Sequence, residues 1–167
     1  MKKVFITFLL VVVAALSFVA CSDDKSEDTS KEENGSDIGG CYLTIKDFRV
    51  TVPAGWRIDK TDNLLVIIPP SHSKDENIII ASFSVGDGIT AKELLSDDAE
   101  IPSDAKQSVT PDVGVDTINA TWLDDDMIFW TKYFFVKDNT AYVVQVKHTK
   151  EDKDGIIDIL DTFSFKN

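Results

Sequence analysis

The sequence predicts an α+β domain, an antiparallel sheet flanked by helices, behind an apolar leader and an acidic tether. Three observations carry that expectation. Several segments between residues 44 and 148 alternate apolar and polar side chains with the two-residue period of half-buried strands. Thr90-Ala91-Lys92-Glu93 spells a capping box, in which Thr90 and Glu93 satisfy each other's orphan backbone N–H groups at a helix start. Ile156, Ile159, Leu160 and Phe163 recur at helical spacing near the C-terminus.

The leader comes first. Lys2 and Lys3 precede an apolar run, Val4 to Val19, interrupted only by Thr7 and Ser17. Spanning a bilayer core takes roughly 20 apolar residues, so residues 1–20 fit a signal peptide better than a transmembrane helix. Phe18-Val19-Ala20-Cys21 resembles a bacterial lipobox, with Phe18 where Leu is usual and small Ala20 before the cysteine. That resemblance implies cleavage before Cys21 and diacylation of its sulfur with palmitate-type chains. Two acyl chains anchor stably where one binds only marginally, so no membrane span is needed. The expected location is extracytoplasmic, lipid-anchored to the cell membrane or outer membrane, with periplasmic and cell-surface sidedness both open. Ser22-Asp23-Asp24 resembles the acidic export signal of surface lipoproteins in the Bacteroidota, and a generic acidic stalk reads equally well.

Losing Lys2 and Lys3 with the leader takes the formal net charge from −12 to −14. Phosphate backbones repel so acidic a chain, and no basic stripe is present, so no nucleic-acid partner is expected. Residues 21–41 form the tether. From Ser22 to Gly40 it holds seven acids, two bases and one large apolar side chain, Ile38. Such a segment cannot bury enough surface to offset its ordering entropy and is expected to stay extended and disordered. With Cys21 acylated, Cys41 has no intramolecular partner, and it lacks the electropositive neighbours that make a thiol reactive. It reads as a small apolar residue at the domain edge.

The domain, residues 42–167, is long enough to bury its own core. Thr44 to Val52 reads as one strand, with Phe48, Val50 and Val52 on one face. Pro53-Ala54-Gly55-Trp56 reads as a turn. Leu64 to Ile68 is a continuous apolar strand stopped by Pro69-Pro70. Asn77 to Val85 is another strand, placing Ile79, Ala81, Phe83 and Val85 on one face. The capped helix at Thr90 follows, with Ile89 and Leu94 at hydrophobic-staple positions, and a polar loop then runs to about Pro111. Val115 to Leu123 alternates again and groups Ile118, Ala120 and Trp122. Asp124-Asp125-Asp126 is a turn. Ile128–Val136 and Thr140–His148 form a hairpin about Asp138-Asn139, two residues that tolerate the positive φ of a type I′ turn. That register pairs Phe135 with Tyr142, Tyr133 with Val144, Thr131 with Val146 and Phe129 with His148 on the core face. On the wetter face it pairs Phe134 with Val143, Lys132 with Gln145 and Trp130 with Lys147. A C-terminal helix packed across the hairpin then runs into the closing strand Phe163-Ser164-Phe165.

This order of elements resembles the PsbP/DcrB-like superfamily: an early strand into Pro53-Ala54-Gly55-Trp56, a capped helix at Thr90, a late hairpin, and a helix running into Thr162-Phe163-Ser164-Phe165. The resemblance covers about residues 42–167. It implies an α/β/α sandwich and a non-enzymatic interaction or assembly role, often at a membrane, with no common catalytic residues.

The candidate chemistry is sparse. Lys150 to Asp161 can be laid on an EF-hand loop with Gly155 at its sixth position, but Lys150 stands where a carboxylate is required and Asp161 where a bidentate Glu is. A helix start is the better reading, its acids near the positive end of the dipole. Asp124-Asp125-Asp126 carries the oxygen ligands a hard cation takes, although consecutive acids on a turn usually just face water. His72 and His148 offer no zinc-ligand spacing, and His148 is expected against Phe129. No Gly-x-Ser-x-Gly elbow, Walker loop or His-Glu-x-x-His motif is present, and Ser71-His72-Ser73 is no triad. Asn119-Ala120-Thr121 fits a glycosylation pattern but sits mid-strand. Trp56 and Trp130 serve either recognition or packing, with packing favoured.

The leading expectation is therefore a lipid-anchored envelope protein without enzyme activity, cofactor or metal. Cys21 is its lipidation site, and it binds an envelope protein or surface ligand. The other readings are a hydrolase-like enzyme of unrecognised type and a calcium-responsive surface module.

Overall fold

The computed structural model describes residues 18–20, 40–71, 75–109, 113–152 and 155–166. Among them lie eleven strands and two helices. The strands are β1 (Phe18–Ala20), β2 (Gly40–Ile45), β3 (Phe48–Pro53), β4 (Arg57–Lys60), β5 (Leu64–Ile68), β6 (Asn77–Ser84), β7 (Lys106–Ser108), β8 (Asp116–Leu123), β9 (Phe129–Lys137), β10 (Thr140–His148) and β11 (Ser164–Phe165). The helices are α1 (Ala91–Asp97) and α2 (Ile156–Leu160).

Eight strands form one antiparallel sheet in the order β1-β4-β5-β6-β10-β9-β8-β7, and three form a smaller sheet ordered β11-β3-β2. Neighbouring residues of a strand point to opposite faces, so β9 serves two cores at once. Phe135 joins Phe48, Val50, Val52, Tyr142, Val144, Ile156 and Ile159 in the main core, between the large sheet and the layer made by the small sheet with α2. Phe134 joins Ala91, Leu94, Leu95, Ala120 and Ala141 in a second core under α1. The result is the expected antiparallel sheet with a helix on each side.

The central hairpin has the expected register throughout, from Thr140↔Lys137 to His148↔Phe129. Asp138 and Asn139 take φ of 49° and 58°, the left-handed geometry a two-residue type I′ turn requires. At α1, Thr90 Oγ1 accepts the Glu93 N–H at 3.2 Å and Glu93 Oε2 accepts the Thr90 N–H at 2.9 Å, so the capping box is built as the sequence specifies. The C-terminal helix is anchored by fully buried Ile156 and Ile159. Phe163 follows it, buried in the main core, before β11 pairs Ser164 with Arg49.

Four features depart from the sequence reading. Thr44 to Val52 is not one strand: Lys46-Asp47 folds it into the hairpin β2–β3, with Lys46 at φ 50°. The apolar phase shows why, since Ile45 and Phe48 are both buried and no single strand puts residues three apart on one face. β2 runs from Gly40 to Ile45, so strand pairing is already present at Gly40 and Cys41. β4 and β7 were not expected; both are short, and β7 is wholly exposed. In β6, Ile79, Ala81 and Phe83 share one face as expected, and the opposite face, Ile78, Ile80 and Ser82, is the more deeply buried.

Candidate functional site at the aromatic end of the sheet

Two polar clamps hold α1 on the sheet. At its start, the Ala91 N–H donates to Asp116 Oδ2 at 2.8 Å. Beyond its end, Lys132 Nζ reaches Asp98 Oδ2 at 2.9 Å and Glu100 Oε2 at 2.6 Å. Lys132 is 5% exposed, so the face expected to be wet is sealed at this point. An ammonium so placed needs both carboxylates, because an unpaired buried charge is costly.

Past that clamp the sheet ends in rings. Trp122 lies opposite Trp130 in the β8–β9 register, and the two indoles stack at 6.0 Å with 7° between planes. Lys147 Nζ sits 5.1 Å from the Trp130 ring centre, within cation–π range, and 3.5 Å from Asp75. On the other face of the same strand ends, Phe129 stacks on His148 at 5.3 Å.

The turn joining β8 to β9 is fixed by Asp124. Its Oδ1 accepts the N–H groups of Asp126 at 3.0 Å and Ile128 at 2.9 Å, and its Oδ2 accepts the Trp130 indole N–H at 2.7 Å. These bonds, the indole's first and the Ile128 N–H next, hold the Asp124 carboxyl below the usual carboxylate range. The carboxylate the sequence offers to a cation is thus already engaged. Met127 closes the turn at φ 63°, an uncommon conformation for a residue with a Cβ. It is 66% exposed, and Leu123 beside the turn is 44% exposed. A rigid turn therefore carries Met127 into water, and Leu123, opposite Phe129 in the register, is exposed beside the turn on the face away from the tryptophan pair.

The other sequence candidates fall elsewhere. Asp152 caps α2, its Oδ1 accepting the Ile156 N–H at 2.8 Å and its Oδ2 the Ile157 N–H at 3.0 Å, so the EF-hand-like stretch is a helix start. Among the described residues no group of three His, Cys, Asp or Glu is placed to hold a metal ion. Asn119 is buried and accepts the Ser108 hydroxyl at 2.9 Å. Trp56 is buried in the main core rather than displayed. Cys21 and His72 lie outside the described residues, and for Cys41 only the backbone is described, paired with Val52. The sequence reading missed the Trp122–Trp130 stack and the Lys132 clamp. The first was within reach, because closing a turn between Asp124 and Ile128 puts Trp122 opposite Trp130.

No protein-family model matches the chain, and no curated protein matches it. Solved structures do. The solution structure of cyanobacterial PsbP (CyanoP) from Synechocystis sp. PCC 6803 superimposes with a TM-score of 0.52 at 11% identity, covering 76% of this chain and 91% of that one. A crystal structure from Bacteroides thetaiotaomicron VPI-5482 aligns with a TM-score of 0.41 at 12% identity, over 74% of this chain and 50% of that one. At such identities the likeness to CyanoP speaks for the fold alone, and the fold of this chain is PsbP-like.

Proposed function

We propose that the chain is a lipid-anchored, extracytoplasmic binding or assembly module of the cell envelope, non-catalytic and held to its membrane through Cys21. The observation that carries a binding role is the β8–β9 turn. Met127 in a left-handed conformation and Leu123 are exposed there together, on a loop rigidified by three hydrogen bonds to Asp124. Strained, rigid backbone presenting apolar side chains is a recurrent feature of recognition sites. A protein partner is favoured over a small polar ligand by the two exposed apolar side chains, Leu123 and Met127, which flank the exposed acids Asp125 and Asp126. The lipobox-like Phe18-Val19-Ala20-Cys21 and the acidic tether support the anchor, and the PsbP-like fold is compatible with an accessory role.

Two measurements test this reading. Membrane fractionation with intact mass is expected to find the mature protein starting at an acylated Cys21, and Cys21→Ser to release it. A photo-crosslinker at Val109, another exposed apolar position (72%), serves as a control for one placed at Met127. The Met127 probe is expected to give one envelope-protein adduct that Leu123→Asp abolishes and the Val109 probe does not form. Adducts insensitive to Leu123→Asp would remove the turn from the binding role.

A further inference from the structure

The chain carries 29 acids against 17 lysines and arginines, and only two of those seventeen are arginines. Arg57 has Asp59 at 2.7 Å. Arg49 is treated differently. Among the described residues no carboxylate lies within ion-pair distance of it, not even that of Asp47 two positions earlier. Its guanidinium carbon sits 5.8 Å from the Tyr42 ring centre, near the outer limit of cation–π range. Its Nε is buried and has no hydrogen-bond partner. Buried donors are almost always paired, and a charged group left unpaired costs more than a neutral one. In a chain so rich in acids, a lone unpaired arginine is one kept for an acceptor from outside.

The neighbours of Arg49 say which acceptor. Phe48 and Val50 are buried in the main core, so Arg49 between them points out of the three-stranded sheet. β3 is the middle strand, and its register sets Thr44 of β2 and Ser164 of β11 directly on either side of Arg49. Side chains so placed are about 4.5–5.5 Å apart at Cβ, which brings both hydroxyls within reach of a group seated on the arginine. Tyr42 and Thr51 form the next pair on the same face. Tyr42 is 59% exposed and the other four are half-buried. All five side chains can donate a hydrogen bond, and none is acidic. Exposed Lys166, two positions beyond Ser164, adds positive charge at one end. The guanidinium fork alone satisfies both oxygens of a carboxylate, whereas flanking hydroxyls supply donors for the further oxygens of a phosphate.

We infer that the outer face of the three-stranded sheet is a binding site for a phosphate group, held by Arg49 between Thr44 and Ser164 with Tyr42 beside it. A soluble phosphate and a phospholipid headgroup present that same group, and the test separates them. The net charge of the chain opposes any anion, so the affinity for inorganic phosphate is expected to be modest, with Kd about 1–10 mM.

The test follows the Arg49 Nε–H by nitrogen–proton NMR, with the full chain in a nonionic detergent. Two arginines give two such signals, and Arg57→Lys shows which belongs to Arg49. One titrant is sodium phosphate at an ionic strength held constant with chloride, and the other is phosphatidic acid mixed into the micelles. A saturable shift with free phosphate assigns a soluble ligand, and one produced by phosphatidic acid alone assigns a headgroup. Arg49→Lys keeps the charge but not the fork and is expected to weaken binding about five- to tenfold, read from the Thr44 and Ser164 amide signals. Thr44→Val with Ser164→Ala is expected to weaken it about threefold or more, read from Arg49 itself. The remaining amide spectrum verifies that each variant is folded. No saturable shift with phosphatidic acid or with phosphate up to about 50 mM overturns the inference. So does binding that both variants leave unchanged.

Discussion

On one face of the large sheet, Phe48 lies against four rings: Phe163 and Phe165 at 5.2 Å, Phe135 at 5.6 Å and Tyr142 at 6.0 Å. On the other face, Phe134 meets alanines, at positions 91, 120 and 141, with Leu94 and Leu95 above them. The first layer is thick, aromatic and closed by strands that return from both ends of the domain. The second is thin, one two-turn helix pressed close by small side chains and held by Asp116 at one end and Lys132 at the other. Apolar burial sustains the first, whereas placed charges sustain the second. The half-buried tryptophans and exposed Met127 lie at the end of the thin layer, where the sheet outruns the helix.

The sharpest way to break this comparison is to cut one ring from each side. Phe48→Ala is expected to destabilise the protein by about 3–5 kcal/mol, because the surrounding strands cannot collapse into the space. Phe134→Ala is expected to cost about 3 kcal/mol, the low end, since a short helix over alanines can settle inward. Urea midpoints at unchanged m-value measure both. Equal losses would show that the helical layer is as rigid as the two-sheet core.

The clamp gives the next largest effect. Asp98→Ala with Glu100→Ala leaves an ammonium whose side chain is 6% exposed without its two carboxylates, and is expected to cost about 2–3 kcal/mol. That figure is below the full cost of orphaning a buried charge because Glu100 is itself 63% exposed and contributes the weaker share. Lys132→Met is expected to stay within about 1 kcal/mol of the parent, since an apolar side chain of similar length fills the same channel and both acids can reach water. Thermal unfolding of the two variants side by side decides whether the charge or the packing matters at this point.

Legibility in the sequence followed the same division. The central hairpin was readable to the residue, because Asp138-Asn139 fixes its turn and alternation fixes its faces. The capping box was readable because its two bonds are local. The β2–β3 hairpin was not, since Lys46-Asp47 is no strong turn signal and the flanking residues alternate well enough to imitate one strand. β4 escaped because Arg57, Asp59 and Lys60 leave a single apolar position, Ile58, to betray it. At the candidate site, the acidic turn was visible and its purpose was misread: Asp124 serves the turn and Trp130, which only the closed β8–β9 pairing brings within reach. The Lys132 clamp joins residues 32 and 34 positions apart, and no local pattern announces such a partner.

The smallest expected effect separates the two regions by pH. Asp124 is held below the ordinary carboxylate range, so the stability it contributes is present above its unfolded pKa of about 3.9 and is lost as pH falls through the folded value. In the thick core the sign reverses. Burial, and for Tyr133 the nearby charge of Asp161, pushes the Tyr133 and Tyr142 phenols up. Their contribution is complete below the unfolded value of about 10 and is lost as pH rises through the folded one. Asp124→Asn is therefore expected to flatten the acid limb of the stability profile and leave the alkaline limb alone, whereas Tyr133→Phe is expected to do the opposite. Urea midpoints between roughly pH 3 and 11 give both limbs. Because Trp130 donates to Asp124, its fluorescence should also change on the acid side before global unfolding. If Asp124→Asn leaves the acid limb intact, those three hydrogen bonds do not hold the turn, and Met127 loses the rigid support that makes it a recognition element.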